Sequence, residues 1–584
     1  MSPVRTIPTQ ASTDLPTFTI LVDGEDIGGT LGVSSLMVSK SVNKIPKARL
    51  ILSDGDVASG DFPISSSEQF VPGKEVEIQA GYHRREDTIF KGIITGHSVR
   101  ANENKQPVLR IDMRDVTVKM TSGRRNRYFE NVQDNEVIEE LINVYGITAE
   151  VEETEVMHKE MVQYYTTDWD FMIARAEVNS RLVYVDDGVI TVKKPDFSRD
   201  PILNLAFGHN VISFEAGMDA RDQFAAANSR SWNYSEQEII DEEADEPEVS
   251  ENGNITAQDL SGVIGLDSWM QQHGGKVENT ELKAWSDSKL LKSRMARVRG
   301  RVKITGFSDI KPGDIIELEN FGDRFNGPAF VSAVNHLSTT EHGWQTEIGF
   351  GLDQEWFINR YDDIVARQAS GLVPPIHGLQ VGVVTNIHED SDGENRIKVR
   401  LPVIDPQNEG VWTRQASLDA GDGRGFVFRP EIGDEVIVGF INDDPRDPVI
   451  LGMLHSSSKP APIEAEEDNN VKGIVTRSEL KLLLDDDKKS VTIETPDGNK
   501  WTMSDEDGGV TVEDKNGNKV SMSADGISLE SIGDLKLKAS GDIVIEGVNI
   551  TESANAAYKA EGNSGAELSS GGQTVVKGSI VMIN

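Results

Sequence analysis

Residues 509–546 read GVTVEDKNGNKVSMSADGISLESIGDLKLKASGDIVIE, and this stretch decides the fold of the C-terminal part of the chain. Short runs that alternate apolar and polar residues follow one another, and a glycine precedes each run. Such alternation is typical of short β-strands separated by tight turns. A pattern repeated in this way predicts a one-dimensional stack of strands.

The segment from Val471 to Asn584 is poor in large side chains. It contains two aromatic residues, Trp501 and Tyr558, whereas a globular domain of its length would bury several. Near the end the spacing settles at eight residues, in the series Tyr558, Ala566, Thr574 and Met582. Each strand is too short to bury its apolar side alone, so one chain must coil on itself or several chains must wind together. Three intertwined chains that form a β-prism would satisfy both the short strands and the small core.

Composition limits the possible functions. The chain has 584 residues, a formal net charge of −39 and no cysteine. The length indicates about three or four domains. The acidic charge argues against a nucleic-acid surface, because neutralising phosphates needs clustered Lys and Arg. Without cysteine there can be no disulfide, thiolate metal site or cysteine nucleophile.

The N-terminal two thirds indicates a mainly β protein with α/β insertions. Alternating runs between Phe18 and Lys119 predict an antiparallel β-barrel, and strands resume near Ile202 as a second barrel. Apolar residues at helical spacing predict helices over 135–145 and 169–179. The expected bounds are barrels at about 17–125 and 202–360 with an α/β insertion at 126–200.

Two charged stretches lie in the second barrel region. Residues 236–251 contain nine acidic side chains and no basic one, which predicts a solvated, mobile loop, with a cation site as the alternative. Residues 282–299 predict an amphipathic helix with one packed side and one solvated basic side.

Six short strands between Gln380 and Leu454 predict an OB-fold, with domain bounds of 376–456. Its aromatic residues Trp412, Phe426, Phe428 and Phe440 could stack nucleic-acid bases. Given the alternation and the acidic charge, we interpret them instead as the core of a small barrel. A polar linker, residues 456–470, separates this domain from the repeat.

Three passages resemble the VgrG-type spike proteins of contractile injection systems, a group that covers type VI secretion, phage-derived extracellular injection particles and the hub and spike of contractile phage tails. They are residues 382–387 with 396–402 and 428–440, residues 443–452, and residues 572–584. Weaker similarity lies in Pro312-Gly-Asp314 and in residues 325–331, which resemble the second hub barrel of phage late-control proteins.

The resemblance implies a hub at 1–370, a central OB-fold at 376–456 and a trimeric triple-stranded β-helix spike at 471–584. It also implies a homotrimer in which two barrels per subunit form a pseudo-sixfold ring that matches a hexameric tail tube at the baseplate. Such a spike joins the tube to a sharpened tip and pierces the target envelope, touching the target membrane only on firing. We expect synthesis in the bacterial cytoplasm without a signal peptide, then assembly into a particle that acts outside the cell or in the target cell.

Motifs for catalysis are missing from the sequence. There is no Gly-x-Ser-x-Gly elbow, no His-Glu-x-x-His motif and no phosphate-binding loop, so we predict no enzymatic activity and no cofactor. No histidine follows His455, so we expect no metal at the apex. The alternative is a β-helical tailspike that binds or cleaves surface polysaccharide, with the pair Asp443 and Asp444 as candidate carboxylates.

The last residues of the sequence form an almost wholly apolar run. Three copies brought together would form a hydrophobic patch, and such patches usually mark an interaction site. We therefore predict a docking platform for a PAAR-type tip protein. Packing of these residues on the threefold axis is the alternative. The predicted docking residues are Ser579, Ile580, Val581, Met582, Ile583 and Asn584.

Overall fold

A computed structural model describes residues 15–27, 31–56, 58, 60–103 and 105–583 of the chain. The chain divides into two compact units. One extends to Gly378 and includes Phe440–Asp447, and the other comprises Leu379–Gly439 and the chain from Pro448 onward. Among the described residues, no helix has both the length and the apolar character that a membrane crossing requires.

The first lobe of the first unit is an antiparallel sheet whose strands bury every second side chain. Val38, Leu50, Ile78, Phe90 and Ile111 lie in its core with almost no exposure, as the alternating sequence predicts. The strands are β1 (Pro16–Val22), β2 (Glu25–Asp26), β3 (Val33–Ser41), β4 (Lys47–Ser53), β5 (Glu75–Tyr82), β6 (Arg85–Asn102) and β7 (Lys105–Arg114), and a 3-10 helix follows at Val116–Thr121.

An α/β segment follows, and the two predicted helices are confirmed to within two residues at either end. The side chain of Thr167 caps the second helix by accepting a hydrogen bond from the amide of Asp170 at 3.0 Å. Ile138 and Ile173 pack in a core of their own. The elements are β8 (Arg125–Gln133), α1 (Asp134–Asn143), β9 (Thr148–Val151), β10 (Met157–Thr166), α2 (Asp168–Val178), β11 (Leu182–Asp186) and β12 (Val189–Lys193).

The second lobe has a separate core that includes Val302, Val331 and Ile348. A small three-stranded sheet and the longest helix of the described residues are inserted into this lobe. The elements are β13 (Leu203–Ala206), β14 (Val211–Met218), β15 (Ala226–Asn233), β16 (Glu238–Glu243), α3 (Ala257–Ile264), β17 (Ser268–His273), α4 (Asn279–Ala296), β18 (Val298–Thr305), β19 (Ile315–Glu319), β20 (Gly327–Thr339), β21 (Gly343–Phe350) and α5 (Phe357–Arg360), and a 3-10 turn lies at Gln368–Gly371.

The two lobes repeat one strand arrangement. The first has the order β3-β4-β7-β6-β5 and the second has the order β14-β18-β21-β20-β19. A Pro-Gly pair, at Pro72 and at Pro312, precedes the equivalent strands β5 and β19. Strand β20 also pairs with β3, so both lobes belong to one continuous sheet.

The acidic stretch at 236–251 is ordered, and the prediction of a mobile loop is wrong. Its first half forms the edge strand β16, and cations from other elements pair with it. Arg230 lies 2.8 Å from Asp241, Lys283 lies 2.8 Å from Asp245 and Arg294 lies 2.6 Å from Glu246. Two of these cations come from α4, whose basic side is therefore partly buried rather than solvated as predicted.

The second unit begins with a closed five-stranded barrel, as an OB-fold requires. Its core consists of aliphatic residues such as Ile397, Val399 and Val438. The prediction that Phe426 and Phe428 belong to this core is wrong, because each is 52% exposed. The strands are β22 (Gln380–Asn386), β23 (Ile397–Arg400), β24 (Val411–Gln415), β25 (Ala420–Gly421), β26 (Arg424–Gly425), β27 (Glu435–Phe440) and β28 (Pro448–Met453). Of these, β25 and β26 form a separate hairpin around the sequence Gly-Asp-Gly-Arg-Gly at 421–425, and a 3-10 turn lies at Ile441–Asp443.

A seven-stranded antiparallel sheet follows the barrel. Consecutive strands are neighbours throughout, so each strand folds back on the one before it. The strands are β29 (Val471–Val475), β30 (Lys481–Asp485), β31 (Ser490–Glu494), β32 (Lys500–Ser504), β33 (Gly509–Glu513), β34 (Lys519–Ser523) and β35 (Gly526–Glu530). The described residues 531–583 contain no paired strand, so the strands expected at 535–537 and 543–545 have no partner within one chain.

Candidate functional site: an apolar sheet face and an exposed C-terminal segment

The register of the seven-stranded sheet aligns its apolar residues into two rows on one face. Because directly opposed residues point to the same face, the first row crosses all seven strands and the second crosses the last six. The first row is Ile474, Leu482, Ile493, Trp501, Val512, Val520 and Leu529, and the second is Leu484, Val491, Met503, Val510, Met522 and Ile527. We call these thirteen side chains the apolar face.

The opposite face of the same sheet is polar over most of its width. Its central row is Leu483, Thr492, Thr502, Thr511, Ser521 and Ser528, so hydroxyl groups occupy every position after the first. The sheet is therefore amphipathic. Such a sheet normally packs its apolar face against another layer.

In the part of the chain that the structure describes, no such layer covers the apolar face. Trp501 is 43% exposed, Leu529 is 57% exposed and Ile527 is 70% exposed. Fully burying a side chain of this size stabilises a protein by about 1.5–3 kcal/mol, so covering half of one contributes on the order of 1 kcal/mol. Nine of the thirteen side chains are exposed to this extent, and together they supply a driving force on the order of 10 kcal/mol per chain for binding to a second surface.

The turns between these strands hold the register. Asp514 accepts hydrogen bonds from the amides of Asn516 and Asn518 at 2.8 and 2.9 Å and from the side-chain amide of Asn518 at 2.7 Å. These hydrogen bonds lower the pKa of Asp514 to about 2. Gly517, in the same turn, has a φ of +93°, a conformation that a side chain would strain. The turn is fixed locally, so the rows do not depend on distant contacts.

The C-terminal segment continues the pattern without a partner. Leu535 and Leu537 are 57% and 69% exposed, and Ile543 and Ile545 are 56% and 63% exposed. Backbone N–H and C=O groups in an extended segment need hydrogen-bond partners, and exposed strand edges are sites for pairing with another chain. The segment therefore offers both apolar side chains and unpaired backbone.

The predicted docking residues lie at the end of this segment. Ile580, Met582 and Ile583 are 80%, 88% and 90% exposed, and Val581 is 48% exposed. Ser579 is exposed as well, and Asn584 lies outside the described residues. The structure brings no other element of the described chain onto these residues. Their role in docking stays a prediction.

The carboxylate pair that could serve glycan hydrolysis is not arranged for it. Arg446 donates to Asp444 at 2.6 and 2.9 Å, and these hydrogen bonds lower the pKa of Asp444 to about 2. A general acid in glycoside hydrolysis needs a raised pKa. Asp443 lies 3.4 Å from His377. The described part of the chain contains no group of three or more His, Asp or Glu side chains that could hold a metal ion.

Buried charges in the first unit serve packing. Burial opposes ionisation of Asp134, but Arg175 at 2.6 Å and His158 at 2.9 Å lower its pKa. Asn179 donates to the same carboxylate at 2.8 Å. The four side chains come from α1, β10, α2 and the residue that follows α2, and they tie these elements together by using both carboxylate oxygens of Asp134.

Three family models match the chain. The Alg8 N-terminal domain matches residues 12–340, which is more than half of the chain. The type VI secretion system/phage-baseplate injector OB domain matches residues 380–455, and the phage baseplate V C-terminal trimerisation domain matches residues 490–584.

Curated relatives match shorter parts. The type VI secretion system spike protein VgrG1c of Pseudomonas aeruginosa is 28% identical over 191 residues, which cover 30% of this chain and 26% of that protein. The actin cross-linking toxin VgrG1 of Vibrio cholerae is 26% identical over 160 residues, which cover 26% of this chain and 14% of that protein. The chain thus spans about a quarter or less of these relatives.

Among solved structures, a tail protein from Neisseria meningitidis aligns with 60% of this chain and 100% of its own length, at 12% identity and a TM-score of 0.44. The OB-domain and trimerisation-domain matches fall on the passages from which the resemblance was drawn. Together with the spike relatives, they confirm the predicted resemblance to VgrG-type spike proteins.

Proposed function

The chain belongs to the family of the Alg8 N-terminal domain, whose model matches residues 12–340. From the matches of its later residues to an injector OB domain and a trimerisation domain, we propose that it forms a homotrimeric hub and spike at the tip of a contractile injection machine. The observation that carries the proposal is the apolar face, which one chain leaves uncovered. The match of residues 490–584 to a trimerisation domain supports three copies as the way to cover it.

The accessible surface of the chain supports association. One chain exposes 36336 Å² at a mass of 64.1 kDa. A compact monomer of that mass is expected to expose roughly 20,000 Å². The difference between these two areas is larger than the area that most stable protein–protein interfaces bury. Association of copies through the apolar face and the C-terminal segment would remove a large part of this excess.

The test is a pair of adjacent substitutions on opposite faces of β32. Met503→Glu places a charge on the apolar face, and Thr502→Glu places the same charge on the polar face. We expect light scattering to give about three times 64.1 kDa for the native chain and for Thr502→Glu. We expect Met503→Glu to dissociate at micromolar concentration, because a buried unpaired charge is strongly unfavourable.

A native chain that stays monomeric at micromolar concentration contradicts the proposal. Equal dissociation of both variants would contradict the assignment of the apolar face as the contact, because both changes add one carboxylate at neighbouring positions.

In the machine, the hub would bind the tail tube and baseplate proteins, and the spike would meet the target membrane on firing. This is a mechanical role without catalysis, and it places the protein outside the producing cell or in the target cell after release. Purified protein should give no turnover on peptidoglycan or polysaccharide. The tailspike alternative gains no support from the matches reported above, and Asp444 has the wrong pKa for its chemistry.

The exposed run at 579–584 would hold a PAAR-type tip protein. Support comes from the exposure of its four apolar side chains. Deleting residues 579–584 should leave the trimer intact by light scattering and abolish co-purification of a co-expressed PAAR-type protein. A matched control replaces residues 552–557 by an equal number of Ser and Gly residues, away from the apex. Unchanged co-purification after the deletion would place the docking site elsewhere.

A further inference from the structure

A cavity of about 440 Å³ lies between the first lobe and the α/β segment, and it has no part in the proposed hub and spike. One wall, which we call the sheet wall, is formed by β3, β4 and β7. The other wall is formed by the start of α2 and by residues 357–364. Small-molecule sites in proteins commonly have volumes of about 300–1,000 Å³. The charged side chains on the two walls indicate what this cavity could hold.

The sheet wall places two cations directly opposite each other. Lys47 of β4 stands opposite Arg114 of β7, and both side chains are exposed. Neither forms an ion pair with any residue that the structure describes. Two positions along the same ladder, and on the same face, Arg49 stands opposite Asp112 at 2.7 Å. Like charges directly opposed destabilise a ladder, so an anion between the first two side chains would stabilise it.

Further hydrogen-bond donors surround this pair of cations. Ser39 of β3 stands opposite Lys47 on its other side. Ser41 and Lys44 also line the cavity. Across the described chain, the side chains of Ser39, Ser41 and Lys44 have no hydrogen-bond partner. Three cations and two hydroxyl groups offer more donors than a carboxylate accepts, and they suit the three oxygens and the nearly double negative charge of a phosphate group.

The opposite wall carries two carboxylates, Asp170 of α2 and Asp363. Burial and the charge of Asp363 raise the pKa of Asp170, as expected for a carboxylate that lacks a cationic partner. Arg124 opposes this shift, but its guanidinium donates to the backbone carbonyls of Tyr165 and Ile364 at 2.9 and 3.2 Å. Within the described ranges neither carboxylate forms an ion pair, so the cations of the sheet wall do not neutralise them.

We propose that this cavity binds a small zwitterion, with a phosphate group between Lys47 and Arg114 and an ammonium group at the two carboxylates of the other wall. A simple anion would satisfy one wall and meet like charge at the other, and a simple cation would do the reverse. A molecule that carries both charges pairs with both walls at once. Soluble aminoalkyl phosphates and the headgroup of phosphatidylethanolamine share this chemistry.

The test is isothermal titration calorimetry of the full-length protein with phosphorylethanolamine, which carries a phosphate at one end and an ammonium at the other. We expect inorganic phosphate and ethanolamine, each of which carries one of the two charges, to bind at least tenfold more weakly. Sodium chloride at matched ionic strength is the reference, because screening alone also relieves the repulsion between the opposed cations.

One substitution on each wall locates the site, and each has a matched control outside the cavity. Lys47→Gln should weaken phosphorylethanolamine binding at least tenfold and leave the thermal midpoint without ligand unchanged or higher, because it removes a repulsive pair. Asp363→Asn should weaken binding at least fivefold. Lys119→Gln and Asp362→Asn, at exposed side chains that do not line the cavity, should stay within twofold of the native chain.

Vesicles separate the soluble source of such a ligand from the lipid source. The native protein is sedimented with vesicles of phosphatidylglycerol alone and with vesicles that also contain phosphatidylethanolamine. Co-sedimentation that requires both phosphatidylethanolamine and Lys47 assigns the site to the headgroup, and its absence assigns the site to a soluble zwitterion. The inference is overturned if phosphorylethanolamine gives no more heat than matched sodium chloride, or if Lys47→Gln and Lys119→Gln weaken binding equally.

Discussion

Acidification should weaken the junction between the two lobes through a single histidine. His336 lies in β20 with 4% exposure, its Nδ1 is 3.0 Å from the hydroxyl of Thr346, and its ring centre is 6.0 Å from that of Trp344. Burial and the nearby charge of Lys40 lower the pKa of His336 from 6.5 to about 3. The imidazole is therefore neutral in the folded hub at neutral pH.

The sign of the effect follows from proton binding. Below pH 6.5 the unfolded chain binds a proton at this residue, while the folded chain does not until about pH 3. Stability is therefore complete above pH 6.5 and falls as the pH drops. Each pH unit below 6.5 lowers the free energy of unfolding by about 1.4 kcal/mol, so the loss at pH 5 is about 2 kcal/mol.

The assay compares guanidinium unfolding of the hub at pH 7.5 and pH 5 in the native chain and in His336→Gln, which cannot take up the proton. The native chain should lose about 2 kcal/mol more than the variant between the two pH values. His388→Gln, at a side chain that is 68% exposed, should behave as the native chain. Equal losses in the native chain and in His336→Gln would refute the reasoning, because every other titrating group is common to both.

Two further substitutions test packing in each unit. Asp186→Asn removes a carboxylate that pairs with the buried Lys40, and we expect a loss on the order of 2 kcal/mol in the unfolding free energy of the hub. Asp219→Asn, at an ion pair with an exposed arginine, should leave that free energy nearly unchanged, and equal effects of the two substitutions would contradict the role of burial. Ile397→Ala opens a cavity in the five-stranded barrel and should cost about 2–5 kcal/mol, whereas Leu418→Ala, at a residue 90% exposed, should leave the thermal midpoint within a degree or two. A barrel that tolerates Ile397→Ala without loss would show that the core lies elsewhere.

Local patterns predicted the local structure well. The helices at α1 and α2 and the strands around Val76 and Leu109 follow from periodicity, because a helix or strand face is set by residues a few positions apart. The prediction of a mobile loop at the acidic stretch is wrong because its partners are distant in the sequence. Its charge is balanced by Arg230, Lys283 and Arg294, and the last of these lies 48 residues away from its partner. Counting charges within the stretch could not reveal them.

The duplication of the two lobes is also visible in the sequence. The runs after Pro72-Gly73 and Pro312-Gly313 share an apolar-Glu-apolar sequence at the same distance from the glycine, residues 76–78 and 316–318, which aligns β5 with β19. The strand register that aligns the two rows of the apolar face could not be predicted from the sequence. A slip of two residues between neighbouring strands keeps every side chain on its face, so alternation alone cannot fix which residues stand opposite each other. Tight turns such as the one at Asp514 fix this register.

The uncovered face of the seven-stranded sheet also bears on when the protein can finish folding. The hub and the barrel precede the sheet in the sequence, so they emerge from the ribosome and can fold before it. The apolar face of the sheet stays uncovered until two other copies bind. The rate of this association step rises steeply with chain concentration. The nearest other copies are those emerging from neighbouring ribosomes on the same messenger. We therefore expect assembly on the polysome to set the yield, with low expression leaving monomers exposed to proteases.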